Sequence, residues 1–195
     1  MNNNIIVGIS GASGMVYAIS LIEALSLLPG EIHLIISEVA LKVFKHEQSR
    51  EFDEIISSII KTGKARIIIH DNNDLFASVA SGSFNVGGMV IIPCSMKSLS
   101  AVANGYTENL IERAADVTLK EKRPLILLTR ETPLSLIHLN NMVKAVQAGA
   151  IIMPASPGFY HHPEKIEDIV NFMTSRVLDH LKIDYQFAVR WRGKK

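Results

Sequence analysis

The stretch "NIIVGISGASG", residues 4–14, runs apolar through Ile9 and then breaks into a loop whose glycines fall at Gly8, Gly11 and Gly14. Its apolar residues follow one another without alternation. That is the habit of a strand covered on both faces, and so of a parallel sheet. An amphipathic pattern at helical spacing takes over across 14–28. The same order recurs along the chain. "EIHLIIS" (31–37), "ARIIIH" (65–70), "MVIIP" (89–93), "PLILLT" (124–129) and "AIIMP" (150–154) read as further strands. Between them lie amphipathic segments at 37–48, 51–62, 97–104, 108–121, 135–147 and 163–181. The alternation predicts an α/β fold: an open, doubly wound, mostly parallel sheet in three layers, Rossmann-like or flavodoxin-like. In such sheets crossovers are right-handed and ligands bind at the carboxyl ends of the strands.

Length and composition narrow the function. The 195 residues are expected to form a single domain, 1–195, with a substantial core. Residues are 48% hydrophobic and the formal net charge is +1, which supplies no field for nucleic acid or anionic lipid. Cys94 is the one cysteine, so no internal disulfide forms and a reducing cytoplasm is expected. The start lacks the basic-then-apolar pattern of a signal peptide, and no apolar run reaches the roughly 18 to 20 residues of a membrane span. The end, "FAVRWRGKK", is a basic tail in which Trp191 suggests a packed contact.

The carboxyl edge of this sheet collects polar residues. "GISGASG" (8–14) is neither G-x-G-x-x-G nor a P-loop, yet it makes a tight strand-to-helix turn with exposed N–H groups, a ready anion site. Ser13 would point its hydroxyl into the cleft. Ser37 and the serines of "CSMKSLS" (94–100) are first of all helix caps, and at this edge they also reach a ligand's hydroxyls or phosphate. Arg130 and Glu131 stand side by side where a buried strand ends. Arg113 and Lys120 share a helix face with Asp116 between them, which by itself favours a solvated ion-pair stripe over a phosphate clamp. Tyr160, His161 and His162 in "FYHHP" lack matching ligands elsewhere, so no metal site is expected. There is no G-x-S-x-G elbow, and Cys94 reads as a packed thiol rather than a nucleophile.

Taken together, "GISGASG", "PCSMKSLS", "RAADVTLKEKRPLILLTRETPL" and "GAIIMPASPGFYHHP" have the order and spacing of the flavin prenyltransferases of the UbiX type. The resemblance covers residues 5 to about 192. It implies transfer of a dimethylallyl group from dimethylallyl monophosphate to N5 and C6 of reduced FMN. The product, prenylated FMN, would serve a UbiD-type decarboxylase. It also implies site residues. Gly11, Ala12, Ser13, Ser37, Ser95, Met96, Lys97, Ser98 and Arg130 match positions that contact FMN. Tyr160 and Arg176 match contacts of the dimethylallyl phosphate, and Arg113 and Lys120 match further polar residues of that pocket. Glu131 becomes the expected proton handler, with Ser13 orienting the N5 region. A cytoplasmic homododecamer, with no metal, nucleic acid or membrane partner, completes the expectation. Two alternatives share the fold. One is an FMN-dependent cysteine decarboxylase, which would need an asparagine-containing "PASANT"-like loop and an early histidine. The other is a non-catalytic flavin carrier.

Overall fold

The computed structural model describes residues 3–185. Trp191 and the basic tail lie outside the described residues. Six strands form one parallel sheet: β1 (Ile5–Ile9), β2 (Glu31–Ile36), β3 (Arg66–His70), β4 (Gly88–Cys94), β5 (Leu125–Thr129) and β6 (Ile151–Pro154). Their spatial order is β3-β2-β1-β4-β5-β6. Every predicted strand is present, because each Ile/Val-rich run is short and bounded by polar or turn residues. Seven α-helices alternate with them: α1 (Met15–Ser26), α2 (Glu38–Glu47), α3 (Phe52–Thr62), α4 (Met96–Asn104), α5 (Leu110–Lys120), α6 (Leu136–Gln147) and α7 (Ile166–His180). None is long and apolar enough to cross a membrane.

The strand pleat sorts the core into two layers. Ile5, Val7 and Ile9 of β1 join Met15, Leu21 and Ile22 of α1, Ile55 and Ile59 of α3, and Met173 and Val177 of α7. Ile6 points the other way, toward Met89, Leu99, Ile111, Ala115 and Leu127. Burying each aliphatic side chain completely contributes about 1.5 to 3 kcal/mol, so both layers are required to offset the chain's ordering entropy. Ordinary caps set the helix starts: Ser37, Ser95, Asn109 and Ser135 each accept an N–H from three residues on.

Two features depart from a uniformly covered sheet. β3 and β6 are its edges, and Ile69 of β3 is 52% exposed. An apolar run therefore signals a strand here without guaranteeing two covered faces. Helix α6 buries only Asn141 and Ala145, and it leaves Leu136, Ile137, Val143 and Val146 open to solvent. Also, the crossover from β3 to β4, residues 71–87, contains no α-helix, only a single 3-10 turn at Ser78–Ala80. Helix α5, reached from β4, packs against that turn and beneath β2, β4 and β5.

Beside that crossover lies a pair of histidines. Nδ1 of His33 and Nε2 of His70 are 3.0 Å apart, and the edge of Phe84 packs against the His33 ring. Glu31 Oε2 lies 3.3 Å from His33 Nε2, close enough to attract but not aligned as a hydrogen bond. Burial pushes both imidazoles below their usual value. His70 and Arg66 press His33 further down, while Glu31 pulls it up and Asp74 pulls His70 up. The folded chain thus keeps both rings neutral where the unfolded chain takes up protons. The pair's contribution to stability is present above the ordinary histidine value near 6.5 and is lost as pH falls below it. The urea midpoint is expected to drop between about pH 7.5 and about pH 5.5, and to drop less in His70→Leu. Equal midpoints for the wild type at the two pH values would contradict this account.

Candidate active site

The strand order reverses between β1 and β4, so their carboxyl ends open a crevice that no crossover covers. A cleft of about 490 Å³ lies there, lined by Ser10, Gly11, Ser37, Ser95, Lys97 and Ser98, with Asn72, Asn109 and Glu112 opposite. Ser10 ties the two strand ends. Its hydroxyl donates to the Pro93 carbonyl at 3.0 Å and accepts from the Ser95 N–H at 2.8 Å. That bond aims the start of α4 into the cleft, where the helix's first N–H groups carry partial positive charge. Gly11 forms the near wall. A Cβ there would run into the side chain of Val39, which also lines the cleft. Only glycine fits.

The rest of the glycine loop behaves differently from expectation. Gly14 caps α1 with φ 109°, a left-handed value that glycine adopts freely. The N–H groups of Gly14 and Met15 already have an anion. Glu47, at the end of α2, accepts from both at 2.9 to 3.1 Å. The helix start that the sequence offers as an anion site is filled by the protein's own carboxylate, and α4 is the helix start that remains open to a ligand. Glu112 is buried in the far wall. It accepts from the Glu108 N–H at 2.9 Å and faces Lys97 Nζ at 3.8 Å.

Arg130 connects this cleft to a second, smaller one. Its Nε donates to the Ser13 carbonyl at 3.2 Å, across 117 residues of chain. Arg130 and Glu131 then line a pocket of about 110 Å³ with Thr129, Leu134, Met142, Pro154 and Ser156. One edge thus brings together Gly11, Ser37, Ser95, Lys97 and Ser98 at the main cleft, and joins Ser13, Arg130 and Glu131 beside it. Ala12 is buried beneath the loop, and Met96 packs on the core rather than lining the cleft.

The four residues expected at the dimethylallyl phosphate line neither pocket. Arg113 donates to the Ala80 carbonyl and pairs with Asp116 at 3.2 Å, Lys120 lies 3.9 Å from Glu121, and Arg176 pairs with Asp179 at 2.9 Å. Tyr160 follows β6 and stands edge-on to His161 and Phe172. Cys94 is fully buried and its thiol is pushed up to about 12 by that burial, so it is no nucleophile. Ser10, Glu47, Asn72 and Glu112 escape the sequence reading. Only Glu112 leaves a local trace, the Asn109-x-x-Glu112 spacing of a capping box.

Residues 1–178 match the model of the Flavoprotein family. The flavin prenyltransferase UbiX of Alkalihalophilus pseudofirmus is 44% identical over 188 residues, spanning 95% of this chain and 94% of that protein. The chain belongs to the flavin prenyltransferases. Among solved structures of this family's fold, AnUbiX (PadA1) in complex with FMN and dimethylallyl pyrophosphate superposes with a TM-score of 0.90 at 38% identity, over the whole of both chains. A dodecameric FMN-dependent Ubix-like decarboxylase from Escherichia coli O157:H7 gives 0.88 at 38% identity, over 98% of this chain and all of that one. The cysteine decarboxylase TvaF, at 13% identity and a TM-score of 0.61, shares the fold alone.

In this flavin prenyltransferase the Glu47 bridge should hold the glycine loop in place. Losing both acceptor bonds at a solvent-facing helix start costs about 1 kcal/mol. Glu47→Ala is therefore expected to lower urea stability by about that amount, with Glu47→Gln intermediate. An unchanged Glu47→Ala midpoint would show that solvent caps α1 equally well.

Proposed function

We propose that this chain joins the dimethylallyl group of dimethylallyl monophosphate to N5 and C6 of reduced FMN, forming prenylated FMN for a UbiD-type decarboxylase. The observation that carries the reading is the meeting of an open helix start at Ser95 with the Arg130–Glu131 pair along one sheet edge. The residues present fit a flavin mononucleotide. The missing Cβ at Gly11 lets Val39 of α2 close against the glycine loop, and Ser37, Ser95 and Ser98 supply hydroxyls at helix starts suited to one terminal phosphate. Gly11, Ala12, Ser13, Ser37, the run Ser95–Ser98 and Arg130 would hold it. Reduced FMN, when bound, supplies the nucleophilic nitrogen and the ring carbon that receive the prenyl group.

The protein's own part is electrostatic and acid–base. A departing monophosphate needs fixed cations and donors, and Arg113, Lys120, Arg176 and the Tyr160 hydroxyl are of the right kinds. Arginine offers phosphate a planar fork, lysine a point charge. Arg130 anchors the flavin side through Ser13. With reduced FMN bound, Glu131, beside Arg130, would take the proton leaving C6. No histidine lines either pocket among the described residues, which counts against the cysteine-decarboxylase reading. The whole chain, 1–195, would act as one flavoprotein domain in the cytoplasm, consistent with its single free thiol.

Mass spectrometry of reduced FMN incubated with the protein and dimethylallyl monophosphate tests the reaction. A flavin heavier by one five-carbon unit is expected. Glu131→Gln should slow its formation by about 10²- to 10⁴-fold, the range of general acid–base contributions. Unmodified FMN with the wild type would leave only a flavin carrier.

Assembly has its own test. The open apolar face of α6 is the surface we assign to contacts between copies, in a dodecamer like that of the Escherichia coli protein. Val143 is 55% exposed in the single chain, so Val143→Asp should leave the monomer folded while splitting the assembly in light scattering. A variant that stays dodecameric would place the interface elsewhere.

A further inference from the structure

The loop after β6 carries a stack of aromatic rings outside both pockets. Its backbone turns at Phe159–His162, where the His162 N–H donates to the Phe159 carbonyl at 3.1 Å. The two central residues of that turn are Tyr160 and His161. Both side chains meet Phe172 of α7. The His161 and Phe172 rings are parallel within 2°, with centroids 5.2 Å apart. Tyr160 stands edge-on to the two of them, 5.9 Å from His161 and 5.8 Å from Phe172. These are the arrangements that aromatic quadrupoles favour. Neither nitrogen of His161 has a hydrogen-bond partner among the described residues, so packing and not hydrogen bonding holds that ring.

Gly158 makes room for the stack. A Cβ there would lie 2.7 Å from Cε1 of Tyr160 and 3.5 Å from Cζ of Phe172. Its φ is not left-handed, unlike that of Gly14 or Gly149. The backbone does not demand glycine at 158; the ring of Tyr160 does. Phe172 in turn stands four residues before Arg176 on α7, so the two are neighbours on one helix face. The ring that steadies Tyr160 therefore lies one turn from Arg176. Tyr160 is 49% exposed, and without these neighbours its ring would have to be ordered when a ligand arrives, at a cost in affinity.

We propose that Phe172 and His161 are positioning residues for the dimethylallyl phosphate: in the space Gly158 leaves, they hold the Tyr160 ring so that its hydroxyl meets the phosphate alongside Arg176. The inference rests on the reading of Tyr160 and Arg176 as the phosphate contacts. His161 acts as a flat surface, through its face and not through its nitrogens. Gly158, His161 and Phe172 line neither pocket, so FMN binding is separate from their role.

Titration calorimetry of dimethylallyl monophosphate into the full-length protein loaded with oxidised FMN reads affinity without turnover. Tyr160→Phe keeps the stack and loses the hydroxyl, and it should weaken binding roughly ten- to a hundredfold, as for a hydrogen bond to a charged group. Phe172→Leu and His161→Leu keep apolar bulk and lose a flat face. Each should weaken binding roughly two- to tenfold, the cost of ordering one side chain, at unchanged FMN affinity. Gly158→Ala removes nothing and adds one methyl; it should do the same, and it decides the matter where a leucine variant fails to fold. His161→Phe, the conservative replacement, should restore the affinity that His161→Leu loses. In a Tyr160→Phe background, Phe172→Leu should cost little more, because the hydroxyl it positions is gone. Wild-type affinity in Phe172→Leu and Gly158→Ala, beside an impaired Tyr160→Phe, overturns the proposal and leaves Tyr160 as a contact. A full additional loss in the double variant also overturns it, by showing that Phe172 acts on something other than Tyr160. Binding as weak in His161→Phe as in His161→Leu would assign the effect to the ring nitrogens and remove His161 as a flat surface. Wild-type affinity in Tyr160→Phe removes the phosphate reading of Tyr160 itself, and the positioning role falls with it.

Discussion

Where β1 and β4 end side by side, both strands run out of ladder partners at the same level, and the hydroxyl of Ser10 joins them. It donates to Pro93 O, while the Ser10 N–H reaches the same carbonyl at 3.3 Å and Ser95 N–H donates back to the hydroxyl. The ladder is thereby closed at the point where the sheet changes winding direction. A buried serine, 3% exposed, makes the crevice a rigid corner rather than a frayed edge. Ser37 is tied to the same corner through its N–H to Ile9 O at 3.0 Å. The starts of α2 and α4 therefore point into one volume because neighbouring strand ends are locked.

The main cleft and the Arg130–Glu131 pocket divide the work. The first has uncharged hydroxyls, an open helix start, a lysine facing buried Glu112, and the further carboxylates of Glu38 and Glu108 in its lining. The second carries one cation and one anion in adjacent residues. In the function proposed above, the first would take the phosphate and sugar chain and the second the proton. Arg130 spans the gap by donating to Ser13 O, so the position of the glycine loop and that of Glu131 are coupled through one guanidinium group.

The sheet was legible because Ile/Val runs of four to seven residues carry their own boundaries, and the helices because capping serines and apolar periodicity agreed. The edge exposure of Ile69 was not, since the same run serves a central strand equally well. The site was legible as a set of residue types at one sheet edge. Its actual wiring was not. Glu47 reaches the Gly14 N–H across 33 residues, and Arg130 reaches Ser13 across 117; no local pattern encodes either contact. The stripe of Arg113 and Asp116 could be read two ways from helical spacing, and within one chain the ion pair is what forms.

The helix-free crossover between β3 and β4 has a consequence for the order in which the molecule can assemble. The slot it leaves beneath β2 is filled by α5, whose first turn is seated by Asn72: its carbonyl accepts from Leu110 N–H at 2.8 Å and its side chain from Ile111 N–H at 3.1 Å. That seat and its helix are 39 residues apart in sequence. The opposite layer is built largely from neighbours, with α1 and α3 flanking β2. Contacts between distant segments require closing a longer loop before any gain is realised. The two faces of this sheet are thus unequal in time: α1 and α3 can begin to pack on β1 and β2 within the first 70 residues, although α7 completes that layer only later, while the floor of the cleft waits for the chain to reach α5. Ligand-competent geometry is among the last things this topology completes.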